Sequence, residues 1–114
     1  MFENIKEGFG ENIRAYYQYM RKNDIFACYT VLPPQGARKP ELYQREGMKV
    51  PTLRVVDEDD AGVVLSGMKM LGTSAIFSNE TWVGNLLPLA PNQLKESITC
   101  AVPLNSEGVS IWSR

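Results

Sequence analysis

The chain has no histidine, although its 114 residues include 12 basic and 13 acidic ones. Without imidazole it cannot form the usual Ser-His or Cys-His catalytic pairs, and most zinc sites lose a preferred ligand. The charges nearly cancel and no basic block recurs, which argues against a nucleic-acid surface or a polybasic membrane anchor. Any anionic partner would therefore have to bind at a local site.

Cysteine and long apolar runs are also scarce. Cys28 and Cys100 lie in apolar stretches without paired spacing, which predicts buried, reduced thiols rather than a disulfide or a metal site. No run reaches the roughly 20 apolar residues of a membrane helix, and the N-terminus lacks a signal-peptide pattern, so a cytoplasmic protein is expected. A content of 44% hydrophobic residues suits one small domain with its own core.

Apolar residues at helical spacing near the N-terminus predict one amphipathic helix. These residues are Phe2, Ile5, Phe9, Ile13, Tyr16, Tyr17 and Met20. Gly8 and Gly10 weaken the helix, each by about 1 kcal/mol relative to alanine. The firm part is therefore expected from Glu11 to Lys22, with the helix ending near Asn23 and its tyrosines packing against the core.

The rest of the chain reads as short strands separated by turn residues. Strands are predicted at residues 25–32, 52–56, 63–71, 81–87, 97–104 and 109–113, and the second and third would form a hairpin around the turn 57–62. This pattern favours a mainly β fold, a small antiparallel β-barrel or sandwich preceded by one helix. Gly67 and Gly72 are expected to mark a bulge, a bend or a close backbone approach, and Trp82 and Trp112 to pack against the sheet.

The segment from Val31 to Pro40 reads V-L-P-P-Q-G-A-R-K-P. Its prolines and glycine predict a shaped loop that is neither a helix nor an inner strand, and it presents Arg38 beside Lys39. No regular pattern returns until about Thr52, and so long a connection in a compact domain is usually functional. The simpler alternative is a solvated pair of cations.

Three longer motifs occur in order after this loop. They are D-D-A-G-V-V-L-S-G-M-K-M-L-G-T, F-S-N-E-T-W-V-G-N and A-V-P-L-N-S-E-G-V-S-I-W-S-R. Together with the helix R-A-Y-Y-Q-Y-M-R-K-N-D and the proline-rich loop, they resemble the oxygenase component of the 4-hydroxyphenylacetate 3-monooxygenase family. The resemblance implies an acyl-CoA dehydrogenase-like fold within a longer protein. Residues 1–23 would then end an N-terminal helical domain, and residues 24–114 would form a middle β domain carrying part of a flavin site.

The resemblance also implies a function. In such a two-component monooxygenase a separate flavin reductase supplies FADH2, and the oxygenase uses O2 to ortho-hydroxylate a small phenolic substrate through a flavin C4a-hydroperoxide. The implied cofactor-binding residues are Tyr29, Thr30, Val31, Arg38, Lys39, Pro40 and Thr73, and the implied substrate-binding residues are Tyr29, Asn85 and Leu86. Arg38 and Lys39 would hold the charged part of FAD, and the Thr73 hydroxyl would contact the flavin ring. No catalytic residue or metal ligand is predicted in this chain, and a homo-oligomer is expected.

Two other functions stay open at this point. The chain could belong to an enzyme like 4-hydroxybutyryl-CoA dehydratase, which pairs FAD with an iron–sulfur cluster whose ligands would lie elsewhere. It could also be a truncated, non-catalytic β-domain binding module. An upstream arginine and tyrosine would favour the hydroxylase, upstream cysteine motifs the dehydratase, and a stop after Arg114 the module.

Overall fold

The structure is a computed structural model, and it describes residues 8–38 and 51–113. These residues form one α-helix and five of the six predicted strands. The elements are α1 (Phe9–Asn23), β1 (Ala27–Thr30), β2 (Arg54–Asp59), β3 (Gly62–Ser66), β4 (Glu80–Val83) and β5 (Cys100–Pro103). Three short 3₁₀ turns lie at Gln35–Arg38, Ala75–Phe77 and Leu94–Glu96. The fold is mixed α/β with a substantial share of strand.

The helix ends where the periodicity predicts. Asp24 takes a left-handed conformation with φ of 52° and donates its backbone N–H to the carbonyl of Met20, which closes the last turn. The helix begins at Phe9, two residues earlier than its predicted firm part, because Gly8 with φ of 85° marks its start. The predicted helical positions Phe2 and Ile5 lie outside the residues that the structure describes.

The larger sheet has three strands in the order β1-β4-β5. Strand β4 pairs in parallel with β1, where Ala27 faces Glu80, and antiparallel with β5, where Glu80 faces Pro103. The prediction of a small antiparallel barrel is therefore wrong, because no closed barrel forms in the described part of the chain. Parallel neighbours need a long crossover connection, and the 49 residues from Val31 to Asn79 bring the chain back to the same end of the sheet.

The predicted hairpin is confirmed as strands β2 and β3. Its turn is shorter than expected, because residues 57–59 continue β2 and only Asp60 and Ala61 lie between the paired residues Asp59 and Gly62. Asp59 Oδ1 accepts hydrogen bonds from the backbone N–H groups of Ala61 at 2.8 Å and Gly62 at 3.0 Å. Carboxylate bonding to nearby backbone donors is what makes aspartate a turn residue.

Four of the predicted strands are shorter in the structure, and one does not form. The predicted strands at 25–32 and 63–71 reduce to β1 and β3. The predicted strands at 81–87 and 97–104 reduce to the four-residue β4 and β5. Residues 109–113 alternate like a strand but pair with no strand in the part of the chain that the structure describes, and Trp112 is 90% exposed rather than packed on the sheet. Alternation alone does not make a strand, because the backbone groups need a partner.

The core is small and centred on the three-stranded sheet. Cys28 and Val83 are its buried apolar residues, and the rings of Tyr16 and Trp82 join the helix to the sheet at a centroid distance of 5.1 Å. Both cysteines are free thiols, with Cys28 buried and Cys100 half-buried. Within the two described ranges, no helix is long and apolar enough to cross a bilayer.

Candidate functional site

The C-terminal ends of β1 and β4 place several predicted site residues side by side. Thr30 ends β1, Val83 ends β4, and the Gly84 backbone N–H donates to the Thr30 carbonyl at 3.2 Å. A Cβ built on Gly84 would lie 3.4 Å from a methyl group of Val31 and 3.9 Å from the hydroxyl of Tyr29. The segments predicted to bind flavin and substrate are therefore adjacent in space.

Val31, Asn85 and Leu86 line one cavity of about 240 Å³. The other residues around it are Pro33, Ala37, Thr52, Leu87, Pro88, Leu89, Gln93 and Glu96. Most of this lining is apolar, with a few polar groups contributed by threonine, amide and carboxylate side chains, which is typical of small-molecule sites. The cavity thus joins a predicted cofactor residue to both predicted substrate residues that follow β4.

Thr73 lies in a neighbouring turn. A Cβ on Gly72 would lie 2.9 Å from the Thr30 methyl group, so the backbone of Gly72 packs directly against the end of β1. This is the close backbone approach that was one of the predictions for Gly72. The Thr73 side chain is exposed. The Thr30 hydroxyl is already engaged, since its oxygen lies 2.7 Å from that of Thr81. Of the two threonines, Thr73 is the one whose hydroxyl remains accessible to a ligand.

The proline-rich loop contains a single turn of 3₁₀ helix at Gln35–Arg38, in which the Ala37 N–H donates to the Pro34 carbonyl at 2.9 Å. The prediction that this segment cannot be helical is therefore wrong over these four residues. The two prolines precede the turn and so do not interrupt its hydrogen bond. Ala37 lines the cavity, so the turn that ends at Arg38 lies at its rim. The predicted cofactor residues Lys39 and Pro40 lie outside the described residues.

Asn85 holds the cavity wall in place through its side-chain amide. Its Oδ1 accepts a hydrogen bond from Lys69 Nζ at 2.8 Å, and its Nδ2 donates to the carbonyls of Glu96 at 2.9 Å and Ile98 at 3.3 Å. Lys69 Nζ also donates to the Gly84 carbonyl at 2.8 Å. The side-chain amide of Asn85, which was predicted to bind substrate, therefore directs both of its N–H bonds at protein carbonyls. Asn85 thus fixes the shape of the cavity wall in addition to lining it.

Lys69 and Glu96 are site residues that the sequence analysis missed. Lys69 stands between two methionines in a strand-like run, and Glu96 stands in a polar loop, so neither carries a local signal. Burial lowers the pKa of Lys69, whose ammonium is half-buried against neutral oxygens. Glu96 lines the cavity, and Lys69 supports its wall from outside through the hydrogen bond to Asn85; only long-range contacts reveal either role.

A second polar cluster ties the helix to the sheet. The hydroxyls of Tyr16 and Tyr19 each donate to the buried carboxylate of Glu80, at 2.9 Å to Oε2 and Oε1 respectively. Burial, and then the hydrogen bond to Glu80, raises the pKa of Tyr16 to about 12. Because both carboxylate oxygens are engaged by this chain, the cluster is an anchor rather than a ligand site.

The cavity can hold part of a flavin cofactor and not the whole of it. A site for a complete drug-sized ligand is typically about 300 to 1,000 Å³, which exceeds the 240 Å³ found here. The mostly apolar walls suit a planar ring. The absence of side chains at Gly72 and Gly84 lets these two residues pack closely against Thr30 and Val31 beside the cavity. In residues 8–38 and 51–113 there is no group of three or more acidic, cysteine or histidine side chains that could hold a metal ion.

Comparison with known proteins defines the class to which this fold and site belong. The profile of the family described as 4-hydroxyphenylacetate 3-hydroxylase N terminal matches residues 1–114, which is the whole chain. The chain therefore belongs to this family, and the resemblance noted from the motifs is confirmed.

One similar relative is the oxygenase component of 4-nitrophenol 4-monooxygenase/4-nitrocatechol 2-monooxygenase from Rhodococcus opacus. It is 34% identical over 107 residues, which cover 93% of this chain and 19% of the relative. The chain spans about a fifth of the length of the curated relatives that it matches.

Two solved structures bear on the fold. The oxygenase component (HpaB) of 4-hydroxyphenylacetate 3-monooxygenase, complexed with FAD and 4-hydroxyphenylacetate, matches with a TM-score of 0.65 and 26% identity over 86% of this chain and 20% of that one. An archaeal 4-hydroxybutyryl-CoA dehydratase from N. maritimus matches with a TM-score of 0.77 over 94% of this chain and 22% of that one. Its 21% identity shows a shared fold alone.

Proposed function

We propose that the polypeptide carrying this segment is a reduced-FAD-dependent monooxygenase that ortho-hydroxylates a phenolic substrate. The observation that carries the proposal is the cavity at the ends of β1 and β4, where Val31 meets Asn85 and Leu86 in a chain of this family. The named relatives support it, since they include a 4-nitrophenol monooxygenase component and an oxygenase solved with FAD and a phenol. A separate flavin reductase would supply FADH2, consistent with the name "oxygenase component".

Reduced FAD would supply the oxygen-activating chemistry through a flavin C4a-hydroperoxide, and the residues of this chain would bind and shield it. The segment Tyr29–Val31 would line the ring, and the accessible Thr73 hydroxyl would hydrogen-bond one of its polar atoms. The apolar wall around Leu86 would exclude water from the reacting atoms and hold the phenol ring in place. Arg38, at the cavity rim, would bind the charged part of FAD together with Lys39 and Pro40.

Equilibrium titration of the full-length polypeptide with reduced FAD under anaerobic conditions tests these assignments. Replacing Arg38 by Ala removes a charge-assisted hydrogen bond worth about 1.5 to 3 kcal/mol, so the affinity should fall about tenfold or more, with a smaller loss at high salt. Replacing Thr73 by Val removes a neutral hydrogen bond and should weaken binding less.

Arg21→Ala is the matched control for Arg38, because it removes an exposed arginine from α1. This control should leave the affinity unchanged. If Arg38→Ala binds reduced FAD as tightly as the parent, the proline-rich loop does not contact the cofactor.

A further inference from the structure

Glu96 is a buried acidic residue in the wall of the cavity. It ends the turn Leu94–Glu96, keeps only 8% of its surface exposed, and lines the cavity together with Val31 and Asn85. Its backbone is held firmly, since its carbonyl accepts hydrogen bonds from Asn85 Nδ2 and from the N–H of Ile98, both at 2.9 Å. The position of Glu96 is therefore defined by the same network that fixes the wall.

The carboxylate of Glu96 itself has no hydrogen bond or ion pair with any residue in the described parts of the chain. In those parts, no fully buried side-chain nitrogen or oxygen lacks a hydrogen-bond partner. Both Glu96 oxygens must therefore keep some accessible surface, although the residue as a whole is more than nine-tenths buried. Because Glu96 lines the cavity, that cavity is the space from which a ligand would reach the carboxylate.

The charged groups around Glu96 do not neutralise it. Arg54 begins β2, which contacts the turn that carries Glu96, Lys69 lies beyond Asn85, and Lys95 is on the same turn. None of these forms an ion pair with Glu96 in the structure. Among the cavity-lining residues that the structure describes, Glu96 is the one ionisable side chain. Leaving a largely buried carboxylate without a partner is costly, and such groups are often reserved for a ligand.

We infer that Glu96 accepts a hydrogen bond from the hydroxyl of a phenol bound in this cavity and so orients its ring. This inference rests on the proposed function and deepens it. Phenols are much weaker acids than carboxylic acids, so the proton stays on the phenol oxygen and the carboxylate acts as an acceptor. A negative carboxylate favours a neutral phenol over a phenolate or an ether, whereas the apolar walls do not distinguish them.

A double-mutant cycle between protein and ligand tests the inference. Binding of 4-hydroxyphenylacetate and of its methyl ether, 4-methoxyphenylacetate, is measured by calorimetry with the full-length polypeptide and reduced FAD, without oxygen. The parent should bind the phenol at least about tenfold more tightly than the ether, because only the phenol donates to a charged acceptor. Glu96→Met, which has no carboxylate, should lose about tenfold of that preference, and Glu96→Gln should fall between the two.

Glu58→Gln is the matched control, because Glu58 is exposed on the hairpin; its preference should equal that of the parent. If Glu96→Met weakens the phenol and the ether equally, Glu96 is only structural and the inference fails while the proposed function stands. If the parent itself does not prefer the phenol, the inference fails whether or not the variants fold. If the parent binds neither reduced FAD nor the phenol, the proposed function and the inference fail together.

Discussion

The anchor between α1 and β4 allows a quantitative test of how this segment is held together. Tyr16 and Tyr19 donate to opposite oxygens of Glu80 at 2.9 Å, across 64 and 61 residues of sequence. A hydrogen bond to a charged acceptor contributes about 1.5 to 3 kcal/mol. Replacing Tyr16 by Phe removes one such bond but keeps the ring that packs against Trp82. The loss of stability in this variant should therefore measure the contribution of the Tyr16 hydroxyl alone.

Tyr19 should matter less than Tyr16. Its side chain is 43% exposed, so water can replace the hydrogen bond that is lost in Tyr19→Phe. We expect a loss of about 1.5 to 3 kcal/mol for Tyr16→Phe and a smaller loss for Tyr19→Phe. Tyr17→Phe is the control, because Tyr17 is 58% exposed, its ring lies under the guanidinium of Arg21, and its hydroxyl makes no hydrogen bond within residues 8–38 and 51–113.

Hydrogen–deuterium exchange of the full-length polypeptide is the suitable assay, because it measures local opening of each element separately. In Tyr16→Phe, amides of β4 and of the second half of α1 should exchange about tenfold faster or more, since about 1.4 kcal/mol corresponds to a factor of ten. Equal exchange rates for Tyr16→Phe and Tyr17→Phe in these elements would show that the Tyr16 hydroxyl does not anchor α1 to β4.

Two further predictions concern pH and a glycine. In the folded chain the pKa of Tyr16 is raised to about 12 from an ordinary value of 10.0. The stabilisation from its hydrogen bond to Glu80 should therefore be complete below pH 10 and disappear as the pH rises towards 12. Hydrogen–deuterium exchange of the parent and of Tyr16→Phe, compared across this pH range, measures that loss. Gly67→Ala should destabilise the protein by more than about 1 kcal/mol in thermal unfolding. The reason is that Gly67 has a φ of 120°, and its new Cβ would lie 2.3 Å from the Thr52 carbonyl oxygen. Gly36→Ala is the control and should be nearly neutral, because its Cβ would meet nothing within 4 Å.

Local patterns predicted the elements of this fold better than their pairing. The apolar spacing of α1 and the aspartate-rich turn of the hairpin depend on neighbours in sequence, and both predictions were confirmed. The parallel pairing of β1 with β4 depends on a crossover of nearly 50 residues, which no short pattern encodes. Residues 109–113 show the reverse case, because they alternate like a strand but pair with no other strand among the described residues.

The site was predictable to a similar extent. Motif resemblance brought Val31, Asn85 and Leu86 into consideration, and the structure places all three around one cavity. Lys69 and Glu96 escaped notice, because their importance comes from hydrogen bonds to and from Asn85 across 16 and 11 residues. Buried polar networks of this kind are assembled by tertiary contacts, so a single sequence gives no local sign of them.

The central claim is that this segment belongs to a phenol hydroxylase that uses reduced FAD. The most direct measurement mixes the full-length polypeptide with reduced FAD and 4-hydroxyphenylacetate, adds oxygen-18 gas, and analyses the products by mass spectrometry. The account predicts an aromatic product carrying one oxygen-18 atom ortho to the original hydroxyl, and no product when reduced FAD is omitted. Hydrogen peroxide as the only oxygen product with every phenol tried, or hydroxylation that proceeds without reduced FAD, would contradict it.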